Sequence, residues 1–262
     1  MLSVLKKFSL TGIAGSCLLF SLSAFGTTAV DVSVDRVFVP AGFDDNDTVE
    51  IVLDGQLPSL CYELLPPTFY LDPTSNVVTV KQGAVKKPIA ACLRDREDAP
   101  HLKWPVPYSS VLKLGSLREG QYTVVFARKG EPQDTVLTVK KAQGEDVDDT
   151  IYAPISSVFI PEMVYETENS VAVLSGVLPT NCMQLHQENI KILHTDHLIE
   201  VLPSLTVDLN NDCGYAPVPL TAMVDLGRLK PGRYLLHIRS MTGQSLNKTF
   251  TVLPKEKDPR GG

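Results

Sequence analysis

The chain has 262 residues, a formal net charge of −6 at pH 7, and charged side chains at 21% of its positions. An acidic chain without a stripe of Lys and Arg is not attracted to a phosphate backbone, so the composition argues against nucleic-acid binding. Its length suits two small domains of roughly 100 to 150 residues each.

The first 26 residues have the pattern of a secretory signal peptide. Lys6 and Lys7 precede an apolar run over 13–25, which ends in small residues at Ala24 and Gly26. The run is shorter than the roughly 20 residues that a membrane-spanning helix needs. We therefore predict residues 1–26 to be a cleaved signal and the mature chain to have no membrane span. It would be exported to the periplasm, the cell surface or the medium.

The next segment, 27–141, is predicted to form a β-sandwich domain. Short runs rich in β-branched residues are separated by Pro, Gly and Asp, and no stretch has a helical apolar period. In the run over 48–53, every second residue can face a core. The predicted strands are 32–39, 49–53, 77–80, 122–126 and 135–139.

A polar, charged segment at 142–150 is predicted to be a linker, and a second β-sandwich domain is predicted to follow at 151–254. The polar residues 255–262 are predicted to be a flexible tail. In the second domain the predicted strands are 155–160, 171–174, 190–193, 198–202, 234–238 and 249–253.

The two domains are copies of one sequence pattern. The run Val-Phe-Val-Pro at 37–40 returns as Val-Phe-Ile-Pro at 158–161, a shift of 121 positions. The motif Gly-x-Leu-Pro-x-x-Cys occurs at 55–61 and at 176–182, and Leu-x-x-Gly-x-Tyr occurs at 117–122 and 229–234. We expect each proline to lie at a strand edge or corner, and each tyrosine to bury its ring while its hydroxyl reaches the backbone.

The repeat also predicts the disulfide pairing. Cys17 would leave with the signal, with a lipoprotein acylation site as the alternative. The remaining four cysteines allow three pairings. Because each copy has two cysteines 31 positions apart, the same closure in both copies pairs Cys61 with Cys92 and Cys182 with Cys213. Thiols this far apart lack the Cys-x-x-Cys spacing of redox and zinc sites. They indicate structural disulfides in an oxidising compartment.

These motifs carry a resemblance. The glycine turn and tyrosine before a late strand resemble the tyrosine corner of immunoglobulin-like domains. Together with the spacing of the cysteines, they are similar to a domain that recurs in exported bacterial proteins of unassigned role. The resemblance implies two tandem immunoglobulin-like antiparallel β-sandwiches, and it brings no site residue with it.

The clearest difference between the copies is an insertion before the third motif of the first copy. Nine extra residues fall within 94–108, and they include the only tryptophan of the chain. An aromatic residue between rigid prolines suits a preformed contact with a partner. We predict His101, Trp104 and Tyr108 to face a partner, with the alternative that Trp104 only packs on its own domain or on the second one.

Other polar clusters give weaker indications. The acidic run at 44–47 and its counterpart at 165–168 are interpreted as solvated loops, although carboxylates can bind calcium. His194 and His197 lie on a turn without the pattern of a zinc site. No cofactor or metal is predicted, and no catalytic motif is present.

The sequence therefore favours an exported, non-enzymatic binding protein that recognises a protein or an envelope polymer through loops of its sandwiches. Besides calcium-dependent adhesion, two alternatives stay open. One is a periplasmic chaperone or inhibitor that offers an edge strand or a cleft to its client. The other is a hydrolase with paired carboxylates in a cleft between the domains.

Overall fold

A computed structural model describes residues 29–88, 92, 104–208 and 213–255. The predicted signal peptide and residues 256–262 of the predicted tail lie outside these ranges. The described chain is nearly all β, which confirms the predicted fold class. It contains no helix that is long and apolar enough to cross a membrane within the described ranges.

The first half, 29–139, forms two sheets. A small sheet has the strand order β2-β3-β7, and a larger one has the order β1-β6-β8-β9, with β4 and β5 also paired to β6. The strands are β1 (Ala29–Val32), β2 (Val34–Phe38), β3 (Val49–Leu57), β4 (Tyr62–Leu64), β5 (Thr68–Asp72), β6 (Val77–Lys86), β7 (Val106–Gly115), β8 (Gly120–Arg128) and β9 (Glu131–Val139).

The second half, 155–253, repeats this plan. Its small sheet has the order β10-β12-β17 and its large sheet the order β11-β19-β18-β15-β14, while β13 pairs with β16. The elements are β10 (Ile155–Phe159), β11 (Met163–Tyr165), β12 (Ser170–Leu178), β13 (Met183–Gln184), a 3-10 turn (Gln187–Asn189), β14 (Ile190–Thr195), β15 (Leu198–Pro203), β16 (Thr206–Val207), β17 (Val218–Gly227), β18 (Gly232–Ser240) and β19 (Gln244–Leu253).

The repeat seen in the sequence is a repeat of topology. Strands β2 and β3 match β10 and β12 at a shift of 121 residues, and β7 and β8 match β17 and β18 at a shift of 112. The shorter second shift reflects the nine extra residues of the first half. Equivalent positions in the two halves can therefore be compared one by one.

Each half has its own core between its two sheets. Alternating residues of β8, Tyr122, Val124 and Phe126, are buried against residues from the small sheet such as Ile51 and Leu53. In the second half, Tyr234, Leu236 and Ile238 of β18 occupy the same positions in a separate cluster. This two-layer packing follows from strands that place apolar side chains on one face.

Most strand pairs are antiparallel, but three pairings among the described residues are parallel: β6 with β8, β15 with β18, and β11 with β19. The first two have a common cause. After β6 the chain crosses to the small sheet as β7, and then returns to the large sheet as β8. Two such crossings bring β8 beside β6 in the same direction, and β15, β17 and β18 repeat this path.

The strands β7 and β17 were not predicted as strands. Both have proline near their start, at Pro107 and Pro219, and proline usually indicates a break in a strand. Both strands lie at an edge of their small sheet. Proline has no backbone N–H, and at a sheet edge this does not cost a hydrogen bond to a neighbouring strand. As expected, Pro58 and Pro179 directly follow the last residues of β3 and β12.

The glycines of the two Gly-x-Leu-Pro motifs are required by a close approach. Gly55 and Gly176 lie opposite a bulge in the neighbouring strand, β2 or β10. A Cβ on Gly55 would lie 2.4 Å from the Ser33 carbonyl oxygen, and one on Gly176 would lie 2.0 Å from the Pro154 carbonyl oxygen. Because any side chain would collide with backbone there, both copies need glycine.

The tyrosines of the third motif behave as predicted. Tyr122 is buried, and its hydroxyl donates to the Arg118 carbonyl oxygen at 2.9 Å. Tyr234 is also buried, and its hydroxyl has a hydrogen bond with the backbone of Lys230, which again lies four residues earlier. Each tyrosine thus fixes the turn that precedes its own strand.

Both predicted disulfides are confirmed. Cys61 is bonded to Cys92 and Cys182 to Cys213, with Cα atoms 5.3 Å and 5.5 Å apart. A loop of this length implies roughly 3 to 4 kcal/mol of stabilisation per bridge in the chain-entropy account. Such bridges persist in an oxidising compartment.

Candidate functional site

The two halves are packed sheet on sheet. A strand that faces water on one side alternates between buried and exposed residues, but β3 is buried at eight of its nine positions and β18 is fully buried from Tyr234 to Ser240. The inner face of each strand lies in its own core. The outer face of β3 is covered by the outer face of β18, so the small sheet of the first half lies on the large sheet of the second.

The centre of this contact is apolar. Phe38 of β2 and Val52 of β3 pack against Leu198 of β15 and Leu235 of β18 in one cluster. All four side chains are buried, with exposed fractions between 0% and 5%. Their burial supplies the hydrophobic part of the association between the halves.

An arginine with two acidic partners lies at one side of the apolar centre. Arg239 of β18 contacts Asp47 of the first half at 2.9 Å and Asp148 of the intervening segment at 3.1 Å. The guanidinium also lies over the rings of Phe43 and Tyr152, 5.3 Å and 5.7 Å from their centroids. Burial lowers the pKa of Arg239, but the two carboxylates outweigh it and the net change is upward. This side chain therefore stays charged and binds three parts of the chain together.

A second ion pair lies at the opposite side. Arg233 Nε donates to Asp54 Oδ1 at 2.6 Å, and Arg233 also donates to Thr249 at 3.1 Å. Burial raises the pKa of Asp54, even though the hydrogen bond and the charge of Arg233 lower it. Elsewhere in the interface, Glu200, which pairs with His237 on the neighbouring strand, accepts a hydrogen bond from the Ala41 backbone N–H at 2.7 Å.

Between these pairs, a hydrogen-bonded chain ends on a buried histidine. Asn247 Nδ2 and the Ser245 hydroxyl both donate to Glu50 Oε1, and Asn247 Oδ1 lies 2.9 Å from His237 Nδ1. Because that amide oxygen can only accept, Nδ1 of His237 carries the proton. His237 is fully buried, and its Nε2 has no hydrogen-bond partner among the described residues. Burial lowers the pKa of His237, although Asn247 and Glu50 act in the opposite direction.

We expect the contact between the halves to be weakened by acid because of His237. The pKa of His237 is lower in the folded chain than its ordinary value of about 6.5, so below pH 6.5 the unfolded chain binds the proton more readily. We expect this residue to reduce the free energy of unfolding as the pH falls from 7 to 5, by at most about 1.4 kcal/mol per pH unit.

Urea unfolding at several pH values measures this effect in the wild type and in His237→Gln, which is neutral throughout. The difference between them should change with pH, while the exposed control His194→Gln should follow the wild type. Parallel pH profiles for His237→Gln and the wild type would contradict the prediction. Burial raises the pKa of Asp54 and of Glu200, so these groups add stability to the folded chain as the pH falls through the range in which they become protonated. This effect is the same in all three proteins and cancels in their comparison.

The acidic run at 44–47 was wrongly interpreted as a solvated loop. Asp44 and Asp47 are buried, with exposed fractions of 6% and 1%, and Arg239 of the second half binds Asp47. The predicted linker 142–150 also contacts both halves. Asn46 Nδ2 donates to the Asp146 carbonyl oxygen at 2.9 Å, and the Gly243 backbone N–H donates to Asp148 at 2.7 Å.

The three predicted binding residues have different positions. Trp104 is 64% exposed, just before β7. Tyr108 is only 6% exposed, and its hydroxyl donates to the Ser33 carbonyl oxygen at 2.9 Å, so its predicted role of facing a partner is corrected to a role inside the first half. Burial raises the pKa of its hydroxyl. His101 lies outside the described residues.

The remaining polar candidates do not form a metal centre in the described part of the chain, where no group of three or more possible ligands comes together. His197 lies in the turn between β14 and β15 and packs on Tyr234, with ring centroids 4.7 Å apart. His194 is exposed on β14. No match was found among protein-family models, curated proteins or solved structures.

Proposed function

We propose that this chain is an exported, non-enzymatic binding protein that recognises a protein or an envelope polymer through the exposed ring of Trp104. The observation that carries the proposal is the way in which this ring is presented. Trp104 is 64% exposed, whereas aromatic side chains of this size are usually well buried. It is also the only tryptophan of the chain and belongs to the stretch that the second half lacks.

The surroundings of Trp104 support a preformed contact. Two residues later, Val106 pairs with Leu57 in the small sheet, and four residues later Tyr108 is held by its hydrogen bond to Ser33. An exposed aromatic on an anchored segment loses little conformational entropy when it binds.

The carboxylates between the halves support this proposal over the hydrolase alternative. Asp47, Asp54 and Glu50 are each occupied by partners from the other half, in contacts that hold the halves together. The two disulfides fit an exported chain, since such bridges persist in oxidising compartments.

The test compares three immobilised proteins that are incubated with envelope extract from the source cells: wild type, Trp104→Ala and Tyr215→Ala. Tyr215 is a matched control because it is 87% exposed and also lies between a disulfide cysteine and the following strand. We expect Trp104→Ala to bind the captured component at least about tenfold more weakly, a loss of about 1.4 kcal/mol. Tyr215→Ala should bind as the wild type does. Equal binding by wild type and Trp104→Ala would refute the proposal.

A further inference from the structure

The contact between the halves covers two residues of an apolar row on the small sheet of the first half, and an equivalent row exists in the second half. In the first half, Phe38 pairs with Val52 on the neighbouring strand, and Val52 pairs with Val111 on the next one. Leu198 and Leu235 of the second half cover Phe38 and Val52. Phe38 and Val52 therefore form the first half's part of the apolar centre, whereas Val111, at the end of the row, is 40% exposed.

The equivalent residues of the second half are Phe159, Val173 and Met223, and they are paired in the same way. Phe159 is 66% exposed and Met223 is 64% exposed, and nothing in the described chain covers them. We call this row, with Val171 and Ser175 beside it, the small-sheet face. Adjacent large apolar side chains in water, here with the half-buried Val173 between them, typically mark an interaction surface.

The surface that would be needed to cover this row is also present and free. Within the chain, Leu198 of β15 and Leu235 of β18 cover the apolar row of the first half. The equivalent strands of the first half, β6 and β8, have outer faces formed by Val77, Gln121, Thr123 and Val125, of which Gln121 is exposed and the other three are half-buried. We call it the large-sheet face.

Side chains that touch across the internal interface have changed together in the two free faces. Glu50 and His237 lie 3.8 Å apart in the interface. Their equivalents are Val171 on the small-sheet face and Val125 on the large-sheet face. A charged group opposite an imidazole has thus become an apolar pair.

The second ion pair has changed in the same manner. Asp54 binds Arg233 in the interface, and the equivalent residues are Ser175 and Gln121. An acid and its base have both become neutral polar side chains. At these two positions, neither free face has a charge that would lack its partner when the two faces meet.

The third ion pair has changed differently. Asp47 and Arg239 correspond to Glu168 and Ala127, so an exposed acid remains beside the small-sheet face without the base. On the large-sheet side, the exposed Asp134 pairs with Val125, as Asn247 pairs with His237 in the interface.

We propose that the small-sheet face of one copy of this chain docks on the large-sheet face of a second copy, in the manner of the interface inside the chain. The contact is head to tail, because each copy contributes a different surface to it. Such a contact leaves one free face at each end of a pair, so the copies continue into a ring or an open chain. Their arrangement would repeat the one that already joins the two halves.

Analytical ultracentrifugation of the full chain over a range of concentrations tests this. Val173→Asp places a charge in the small-sheet face, and Val125→Asp does the same in the large-sheet face. Each variant keeps one face intact. We expect the wild type to form species larger than dimers as its concentration rises, and each variant alone to stay monomeric. An equimolar mixture of the two variants should form a dimer and nothing larger.

A matched control is Ile151→Asp, which introduces the same charge at a 51% exposed position outside both faces and should assemble like the wild type. Unfolding midpoints of all proteins verify that the variants are folded, and Val173→Lys provides a second way to block the same face. A wild type that stays monomeric at all concentrations would overturn the proposal, and so would a monomeric mixture. Loss of assembly in Val173→Asp but not in Val125→Asp would also overturn it, because it would indicate two small-sheet faces packed on each other.

Discussion

Arg239→Met is expected to lower the free energy of unfolding by about 3 to 5 kcal/mol, the usual cost of removing one partner from a buried ion pair. Methionine keeps most of the length of the side chain, so the loss is mainly one of charge and hydrogen bonds. The variant leaves Asp47, which is 1% exposed, without the cation that it binds at 2.9 Å. Asp148 loses its contact as well, at 3.1 Å.

Urea unfolding of the wild type and of Arg239→Met measures this loss, with Arg228→Met as the control. Arg228 is exposed, and its replacement should change the free energy of unfolding by less than about 0.5 kcal/mol. The double variant Asp47→Asn with Arg239→Met should lose less free energy of unfolding than the sum of the losses in the two single variants. The reason is that it also removes the charge of Asp47, which Arg239→Met alone leaves without a partner. An Arg239→Met protein as stable as the Arg228→Met control would contradict the role of this arginine.

The sequence predicted the repeat, the all-β class and the disulfides because these depend on local signals. Alternation over 48–53 indicates which side chains of β3 face a core, and the equal spacing of the cysteines selects one pairing. The sequence did not predict features that depend on contacts between distant residues, or on strands that contain proline. Tyr108 was assigned to the surface because neighbouring prolines concealed the edge strand β7, in which it points inward.

The largest omission was the burial of the outer face of β3. Glu50 and Asp54 alternate with apolar residues, and such a strand normally has its acidic side chains in water. Here they are covered by a sheet whose residues lie 179 to 197 positions further along the chain. A local pattern cannot distinguish an acid in water from one that a distant base neutralises.

A signal for that contact was nevertheless present in the repeat. Arg233, His237 and Arg239 all point outward from β18, yet the equivalent residues of β8 are uncharged. Acidic residues on β3 and bases on β18, each absent from the other copy, mark the two faces that meet. Differences between equivalent side chains of the two copies thus mark both the covered interface and the exposed row that begins at Phe159.

Two equivalent phenylalanines differ in burial because the second half covers only one of them. Phe38 is 3% exposed beneath the second half, whereas Phe159, at the same position of the repeat, is 66% exposed. Truncation of a buried phenylalanine to alanine typically costs about 3 to 5 kcal/mol, because burial is lost and a cavity remains. At an exposed position the same change costs less than about 0.5 kcal/mol.

The most direct measurement is therefore urea unfolding of Phe38→Ala and Phe159→Ala in dilute protein, each compared with the wild type. We expect Phe38→Ala to lose about 3 to 5 kcal/mol, and Phe159→Ala to lose less than about 0.5 kcal/mol. Equal losses in the two variants would contradict the claim that the second half covers the first at this row.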